Sequence, residues 1–134
     1  MNNCLFCKII AGDFPAHVVY EDEKVLAFLD IHPKTKGHTL VIPKKHADDI
    51  YDIDEADLAH IAKVTKHIAI AMQSSLNTAG VNMFSNNKSA AQQEISHFPM
   101  HVLPRYDDEQ KMNFASSYEN KDFEIVASNI AEKL

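Results

Sequence analysis

A long helical pattern interrupts a chain that otherwise consists of short strand-like runs. Between residues 54 and 77, apolar side chains recur mostly at spacings of three and four, which predicts one amphipathic helix with a buried stripe. Asp54 is a suitable N-cap, because its side chain can accept a hydrogen bond from the first turn. Runs rich in β-branched and aromatic residues lie on either side of this helix, at residues 17–20, 25–29, 38–43, 81–85 and 97–105.

This order of patterns constrains the fold class. Strand-like runs joined mostly by short turns, with one long helix inserted before the last two, predict an α+β fold over an antiparallel sheet of about five strands. A further helical pattern at residues 123–134 predicts a C-terminal helix. We therefore expect a main domain over residues 1–110 and a C-terminal extension over residues 111–134, with its helix packed on the same domain.

Length and charge exclude several classes of partner. A chain of 134 residues is long enough for one compact domain and too short for two. A net charge of −6 argues against nucleic acid as a partner, since phosphate backbones are bound chiefly by clustered Lys and Arg. The chain has no apolar run that could span a bilayer, and its N-terminus lacks the regions of a signal peptide. We therefore expect a cytoplasmic protein with no membrane partner.

Two histidines share one face of the last predicted strand. At the period-two spacing of a strand, His97, Pro99 and His101 point to one side, while Phe98 and Met100 point to the other and suit a core. Two imidazoles on one wall can bind a metal, bind a phosphate or transfer a proton. The simpler interpretation is a pair of half-exposed histidines.

Both cysteines of the chain lie near its start, as Cys4 and Cys7. In a reducing compartment this spacing favours half of a metal site over a structural disulfide. A thioredoxin-type redox pair is the alternative, but it expects a strand before the motif, and only three residues precede Cys4. Asp30, His38 and His46 stand at predicted strand ends, where loops often carry function, although each alone is also typical of a solvated loop residue.

Together these positions form linked motifs that resemble the histidine triad (HIT) superfamily, in its bacterial Hint-like branch. The resemblance covers roughly residues 3 to 107. It rests on Cys4-x-x-Cys7, Asp30-Ile31-x-Pro33-x-x-x-Gly37-His38, Val41-Ile42-Pro43-Lys44-Lys45-His46, Asn82-x-x-x-Asn86 and Gln93-Glu94-Ile95-x-His97-x-x-x-His101-Val102-x-Pro104-Arg105.

The resemblance implies a nucleotide-binding α+β domain, usually a homodimer, that acts at the α-phosphate of nucleoside phosphoramidates or dinucleoside polyphosphates. In the family, the middle histidine of the triad attacks phosphorus and forms a covalent intermediate. Here Pro99 occupies that position, and its main-chain nitrogen has neither a lone pair to attack nor an N–H to donate. We therefore expect a nucleotide-binding protein with weak or lost hydrolase activity. The alternative is an active hydrolase or transferase in which His101 or an activated water replaces the missing imidazole.

The resemblance also implies roles for other residues of a site for a purine mononucleotide such as AMP. Asp30 corresponds to the carboxylate that accepts hydrogen bonds from the ribose hydroxyls, and His101 to the histidine that binds the phosphoryl oxygens. His38 corresponds to a histidine behind the pocket. Apolar contacts to base and sugar are implied for Phe28 and Ile31, and polar contacts near ribose and phosphate for Asn86 and Gln93. Lys88 and Gln92 stand where the family usually has glycines in the loop that approaches the phosphate.

A zinc site is implied by the same resemblance and agrees with the chemistry of the residues. Cys4, Cys7, His46 and His97 would form a Cys₂His₂ set, the kind that closes a structural zinc site tetrahedrally. The alternative is a pair of reduced, buried cysteines without metal.

Overall fold

A computed structural model describes residues 3–107 and 122–134 of the protein. The helices are α1 (Leu5–Ala11), α2 (Glu55–Leu76) and α3 (Phe123–Glu132). The strands are β1 (Val18–Glu21), β2 (Val25–Leu29), β3 (Thr39–Pro43), β4 (Gly80–Phe84) and β5 (Met100–Arg105). Within these ranges, none of the helices is long and apolar enough to cross a membrane.

The five strands form one antiparallel sheet in the order β1-β2-β3-β5-β4. Because α2 is inserted between β3 and β4, the chain travels to the far edge of the sheet, and β5 then returns to pair with both β3 and β4. This confirms the predicted α+β fold with its sheet, long helix and C-terminal helix. The division at residue 110 stays a prediction, because residues 108–121 lie outside the described part of the chain, as do residues 1 and 2.

Helices cover both faces of the sheet. On one face, the side chains of Ala27, Val41 and Val102 belong to a buried cluster with Ile68 of α2 and Ile130 of α3. On the other face, Phe6 of α1 packs with Leu26, Phe28, Leu40 and Ile42. Every residue of β2 and of β3 is buried as a result, and each large apolar side chain so buried contributes about 1.5–3 kcal/mol.

Strand β5 is shorter than the sequence predicts, since it begins at Met100 and not at His97. Pro99 has no N–H to give to a ladder, and the N–H groups before it bond elsewhere: His97 donates to the Ile95 carbonyl and Phe98 to the Ala47 carbonyl. The predicted alternation of faces still holds. Phe98 is buried in the cluster under α2, while the His97 ring faces Phe6 of α1.

Several other boundaries differ from the prediction by one or two residues, among them those of β1, which covers Val18–Glu21. His38 precedes β3, Ser85 follows β4, and α3 ends two residues before the C-terminus of the predicted helix. The predicted loop over residues 86–92 contains a short 3₁₀ helix, Ser89–Ala91. These shifts leave His38 and residues 85–93 in irregular segments at one end of the sheet.

Candidate functional site

The structure brings the candidate residues into two neighbouring groups on the α1 face of the sheet. In the first, the ligand atoms of Cys4, Cys7, His46 and His97 all lie within 4.8 Å of one another. The His97 Nδ1 atom is 3.3 Å from Cys4 Sγ and 3.5 Å from Cys7 Sγ, and His46 Nδ1 is 3.3 Å from Cys7 Sγ. Zinc bonded to nitrogen and sulfur at its usual lengths would separate its tetrahedral ligands by roughly 3.3–3.8 Å, and these three sulfur–nitrogen distances lie in that range.

The orientation of the two imidazoles also fits a metal. His97 Nε2 lies 2.7 Å from the Pro43 carbonyl oxygen, which can only accept, so this nitrogen carries the proton and Nδ1 has a lone pair. His46 Nε2 lies 2.7 Å from the Asp48 carboxylate, which orients that ring in the same way. The two Nδ1 atoms therefore face each other as acceptors across 3.1 Å. A cation bound by both nitrogens would remove this repulsion. A backbone carbonyl, as at Pro43, and a carboxylate, as at Asp48, are the groups to which metal-bound histidines usually donate their other N–H.

Thiol chemistry at this cluster depends on a cation as well. Burial, together with the hydrogen bond and charge of Cys4, raises the pKa of Cys7 to about 11. Both cysteines are free of disulfide bonds. A thiolate at Cys7 therefore requires a nearby positive charge, which a bound metal ion would supply.

The second group lines a cavity of about 1000 Å³. The wall of this cavity includes residues of α1, β2, β3 and β5. The loop between β2 and β3 and the segment between β4 and β5 also contribute to it. All the residues for which the resemblance implies a nucleotide contact lie on that wall, together with the position of the missing nucleophile: Phe28, Asp30, Ile31, His38, Asn86, Gln93, Pro99 and His101.

Asp30 follows β2 at the point where the chain turns into the β2–β3 loop. Its Oδ1 atom accepts the backbone N–H of His32 at 2.9 Å, and its Oδ2 atom lies 3.6 Å from His38 Nε2. Burial raises the pKa of Asp30, and the hydrogen bond from His32 partly opposes that effect. Asp30 lies on the cavity wall, where a carboxylate oxygen can accept a hydrogen bond from a ligand.

His38 and His101 form a directed hydrogen-bond chain. The backbone N–H of Lys34 donates to His38 Nδ1 at 3.1 Å, so the proton of neutral His38 is on Nε2. Nε2 in turn donates to His101 Nδ1 at 2.9 Å. His101 must then carry its own proton on Nε2, where it can be donated to a ligand oxygen. The ring of Phe84 stacks on the His101 ring, with 4.7 Å between the ring centroids and an angle of 6° between the planes, and this contact fixes the plane of His101.

Both of these histidines are neutral at ordinary pH. Burial, together with the charges of His101 and Lys34, lowers the pKa of His38 to about 3. Burial and the charge of Lys34 lower the pKa of His101 to about 4. Although Asp30, His38 and His101 lie close enough to hold a metal, His38 Nε2 bears a proton while Lys34 occupies Nδ1. The hydrogen-bond chain therefore argues against a second metal site here.

A backbone turn that only glycine tolerates well positions His38. Gly37 has a φ of +91°, and a Cβ atom at this position would lie 2.6 Å from the Leu76 side chain. The glycine of the Gly37-His38 motif thus serves close packing against α2 in addition to the turn.

The loop at residues 85–93 keeps a glycine-like backbone without glycines. Lys88 has φ 72° and ψ 163°, and Gln92 has φ 69° and ψ 31°, both in regions that L-residues rarely adopt. Side chains hold this shape: Lys88 Nζ is 2.7 Å from the Asp49 carboxylate, and Gln93 Oε1 accepts the Lys88 N–H at 2.7 Å. The amide of Gln93 also donates to the carbonyls of Asp48 and Ile95, so its polar groups brace the loop as well as lining the cavity.

Several lining residues had no role predicted from the sequence, and four of them carry a ring or a charge that matters here. Phe84 stacks on His101, and Lys34, Glu94 and Glu124 add charged side chains to the wall. Glu124 comes from α3, which lies far along the chain from the motifs. Lys34 and Glu94 lie within the quoted motifs but had no assigned role, whereas only the packing of distant segments brings Phe84 and Glu124 to the cavity.

The chain is similar to known proteins over most of its length. The HIT domain model matches residues 11–108. The protein named Protein hit of Bacillus subtilis is 44% identical over 138 residues, and the match covers 98% of this chain and 94% of the relative.

Solved structures resemble the fold over its full length. A zinc-bound histidine triad family protein from Mycobacterium smegmatis superimposes with a TM-score of 0.90 at 39% identity, covering 98% of this chain and 93% of that one. A hypothetical histidine triad nucleotide-binding protein from Sulfolobus tokodaii gives a TM-score of 0.87 at 33% identity, covering 97% and 91%.

Proposed function

Because this chain belongs to the HIT family, we propose that it binds a purine mononucleotide such as AMP in the cavity and has little or no nucleotidyl hydrolase activity. The observation that carries this proposal is the wall formed by Pro99 and His101. It keeps a hydrogen-bond donor for a phosphate and has no attacking group at the position of the missing nucleophile.

The binding half of the proposal follows from the distribution of groups along the cavity. Asp30 offers a carboxylate oxygen to the ribose hydroxyls, and Phe28 and Ile31 offer apolar surface to the base. His101 offers its Nε2 proton to a phosphate oxygen. The Sulfolobus tokodaii relative, described as a nucleotide-binding protein, supports the same ligand class.

The catalytic half follows from the protonation of the wall. Pro99 has no free nitrogen lone pair. His101 cannot take over as nucleophile through Nε2. Its Nδ1 atom accepts a hydrogen bond from His38, so the proton of the neutral His101 ring is on Nε2 and that nitrogen has no lone pair. An active hydrolase in which His101 is the nucleophile would need this hydrogen-bond chain to reverse.

We also propose that Cys4, Cys7, His46 and His97 hold a structural zinc ion and that the protein forms a homodimer. The fit of the four ligand atoms and the zinc-bound Mycobacterium smegmatis relative support the metal. The position of β4 at the edge of the described sheet, with Met83 exposed on it, supports the dimer. A bound zinc would supply a fixed positive charge that stabilises two thiolates, with no part in nucleotide chemistry.

Calorimetry with AMP tests the binding half. Asp30→Ala should weaken binding by about 10- to 100-fold, since it removes a charged acceptor of two hydroxyl hydrogen bonds. Asp30→Asn keeps an acceptor for the His32 N–H and should weaken binding less. Glu55→Ala, which removes an exposed carboxylate of α2, is the matched control and should leave affinity unchanged. Binding that is indifferent to Asp30→Ala would contradict this use of the cavity.

A turnover assay with an adenosine phosphoramidate tests the catalytic half. We expect hydrolysis far below the rate of about 1 s⁻¹ or more that is usual for enzymes. Turnover in the usual range that survives His101→Ala would show that another group catalyses the reaction and that the alternative is correct.

A further inference from the structure

The cavity has an unusual balance of charge for a phosphate ligand. Among the described residues that line it, three are carboxylic acids, Asp30, Glu94 and Glu124, and Lys34 is the one Lys or Arg. A phosphate group brings further negative charge into this wall. Its binding therefore requires a cation inside the cavity or a strong set of neutral donors.

The two imidazoles of the hydrogen-bond chain do not provide that cation. His38 and His101 have pKa values lowered to about 3 and about 4, so neither is charged at neutral pH. Protonating them would also place two N–H groups against each other across the 2.9 Å contact between His38 Nε2 and His101 Nδ1. His101 thus contributes a neutral donor only.

Lys34 is fixed beside these groups by its own backbone. Its N–H bonds to His38 Nδ1 at 3.1 Å, and its side chain lies on the cavity wall. The ammonium charge contributes to the lowered pKa values of His38 and His101 and partly opposes the rise in the pKa of Asp30. The Lys34 charge therefore acts on Asp30, the acceptor proposed for the ribose, and on His101, the donor proposed for the phosphate.

We propose that Lys34 is the cationic side chain that binds the phosphate of the nucleotide, a role that neither the triad positions nor the Asp30 motif assigns. The inference rests on the proposed nucleotide site and adds a specific requirement for a charged phosphate. An ammonium group on a flexible stem provides a point charge with several donors, which suits phosphate oxygens. In a wall without the middle imidazole, Lys34 and the neutral His101 together form the phosphate subsite.

Calorimetry with AMP and with adenosine separates this role from general effects on the cavity. Lys34→Gln should weaken AMP binding by about 10- to 100-fold and leave adenosine binding unchanged, because only AMP carries the phosphate. Lys34→Arg should keep most of the AMP affinity. Lys36→Gln is the matched control from the same loop, because Lys36 is outside the cavity lining, and it should change neither ligand. The difference between Lys34→Gln and the unmodified protein should shrink at high salt.

The outcomes are distinct. Equal weakening of AMP and adenosine in Lys34→Gln would overturn the inference, since Lys34 would then act through the shape of the loop. Unchanged AMP affinity in Lys34→Gln, with adenosine binding still dependent on Asp30, would overturn it and leave the nucleotide site standing. An unmodified protein that binds neither ligand would overturn the proposed function and this inference with it. Thermal unfolding of each variant shows whether the fold is kept.

Discussion

Pro99 decides both the chemistry of the cavity and the start of β5. Its ring fixes φ and removes one N–H, so the ladder begins one residue later, at Met100. Because the nitrogen of a proline has no free lone pair, Pro99 also leaves the cavity wall without an attacking nitrogen between His97 and His101. One residue thus changes the strand boundary and the expected reaction together, while the faces of Phe98 and His101 are kept.

Pro99→His should restore part of the hydrolase activity. An imidazole at position 99 would share the cavity wall with His101 and come within reach of a bound α-phosphate. Loss of a covalent nucleophile typically costs several orders of magnitude in kcat, so a partial gain over a very low background is measurable with an adenosine phosphoramidate. Recovery should be incomplete, since the side chains of Lys88 and Gln92 remain in the phosphate loop.

Pro99→His combined with His101→Ala is the control for that gain. The double variant should lose the recovered activity, because His101 supplies the phosphate donor. A Pro99→His protein that folds, binds AMP and still shows no gain in turnover would contradict the assignment of position 99 as the place of the missing nucleophile.

The neutral histidines predict how stability depends on pH. His38 and His101 have folded-state pKa values of about 3 and about 4, below the unfolded value of about 6.5. Below pH 6.5, His38 and His101 therefore bind protons in the unfolded chain but stay unprotonated in the folded protein. The free energy of unfolding should fall by up to about 1.4 kcal/mol per pH unit for each histidine as pH drops from 6.5 toward 4.

His101→Asn isolates this contribution in urea unfolding across the same pH range. The variant keeps an acceptor for His38 and removes one titrating group, so its stability should decline less steeply with acid than that of the unmodified protein. The metal cluster is the same in both proteins, and its own response to acid cancels in the comparison. Identical slopes would mean that His101 is not held neutral.

At the scale of elements, two loops are connected by side-chain hydrogen bonds and an ion pair. The loop after β3 carries His46 and Asp48, and the loop at residues 85–93 borders the cavity. They are joined by Lys88 to Asp49, by Asn87 to the Ile50 N–H at 2.7 Å, and by Gln93 to the Asp48 carbonyl at 2.6 Å. These bonds offset the strain of the positive φ angles at Lys88 and Gln92, which costs on the order of 1–3 kcal/mol at each residue.

Helix α1 should depend on zinc for its place on the sheet. It has only 7 residues, too few to be stable alone, and Cys4 and Cys7 hold its N-terminal turn beside His97. We expect about one zinc per chain in protein prepared without chelator. Cys4→Ser should lower zinc content and speed amide exchange in α1, and it should affect AMP affinity less than it affects α1.

Elemental analysis and hydrogen exchange check this prediction. Ser74→Ala, an exposed substitution on α2, is a control that should alter neither zinc content nor exchange in α1. Zinc near zero in the unmodified protein, with α1 fully protected, would show that the cluster is a set of buried thiols and imidazoles without metal.

At the scale of the whole molecule, the sequence predicts those features that depend on local patterns. The period of the apolar residues in α2 and the β-branched runs of β2 and β3 carry their own secondary structure, so their order and the fold class follow. The start of β5 was missed because strand alternation continues through His97 although the backbone partners do not. Which nitrogen of His101 bears the proton depends on Lys34, a partner that no motif identifies.

The homodimer that we propose would use the β4 edge of the sheet. Among the described strands, β4 is at the edge of the sheet and pairs only with β5. Met83 on β4 and Ile70 on α2 are 55% and 51% exposed. An edge strand with exposed apolar side chains favours pairing with another strand, and a second copy of the same chain offers a self-complementary one.

Met83→Glu should therefore convert a dimer into a monomer, because it places a charge in the apolar part of that edge. Light scattering coupled to gel filtration measures the mass directly. Ile125→Glu is the matched control, since Ile125 is 61% exposed on α3 and should have no effect on the mass. AMP affinity should survive in the Met83→Glu monomer, because all the cavity residues named above belong to one chain. A monomeric unmodified protein, or a dimer that Ile125→Glu disrupts and Met83→Glu does not, would exclude β4 as the interface.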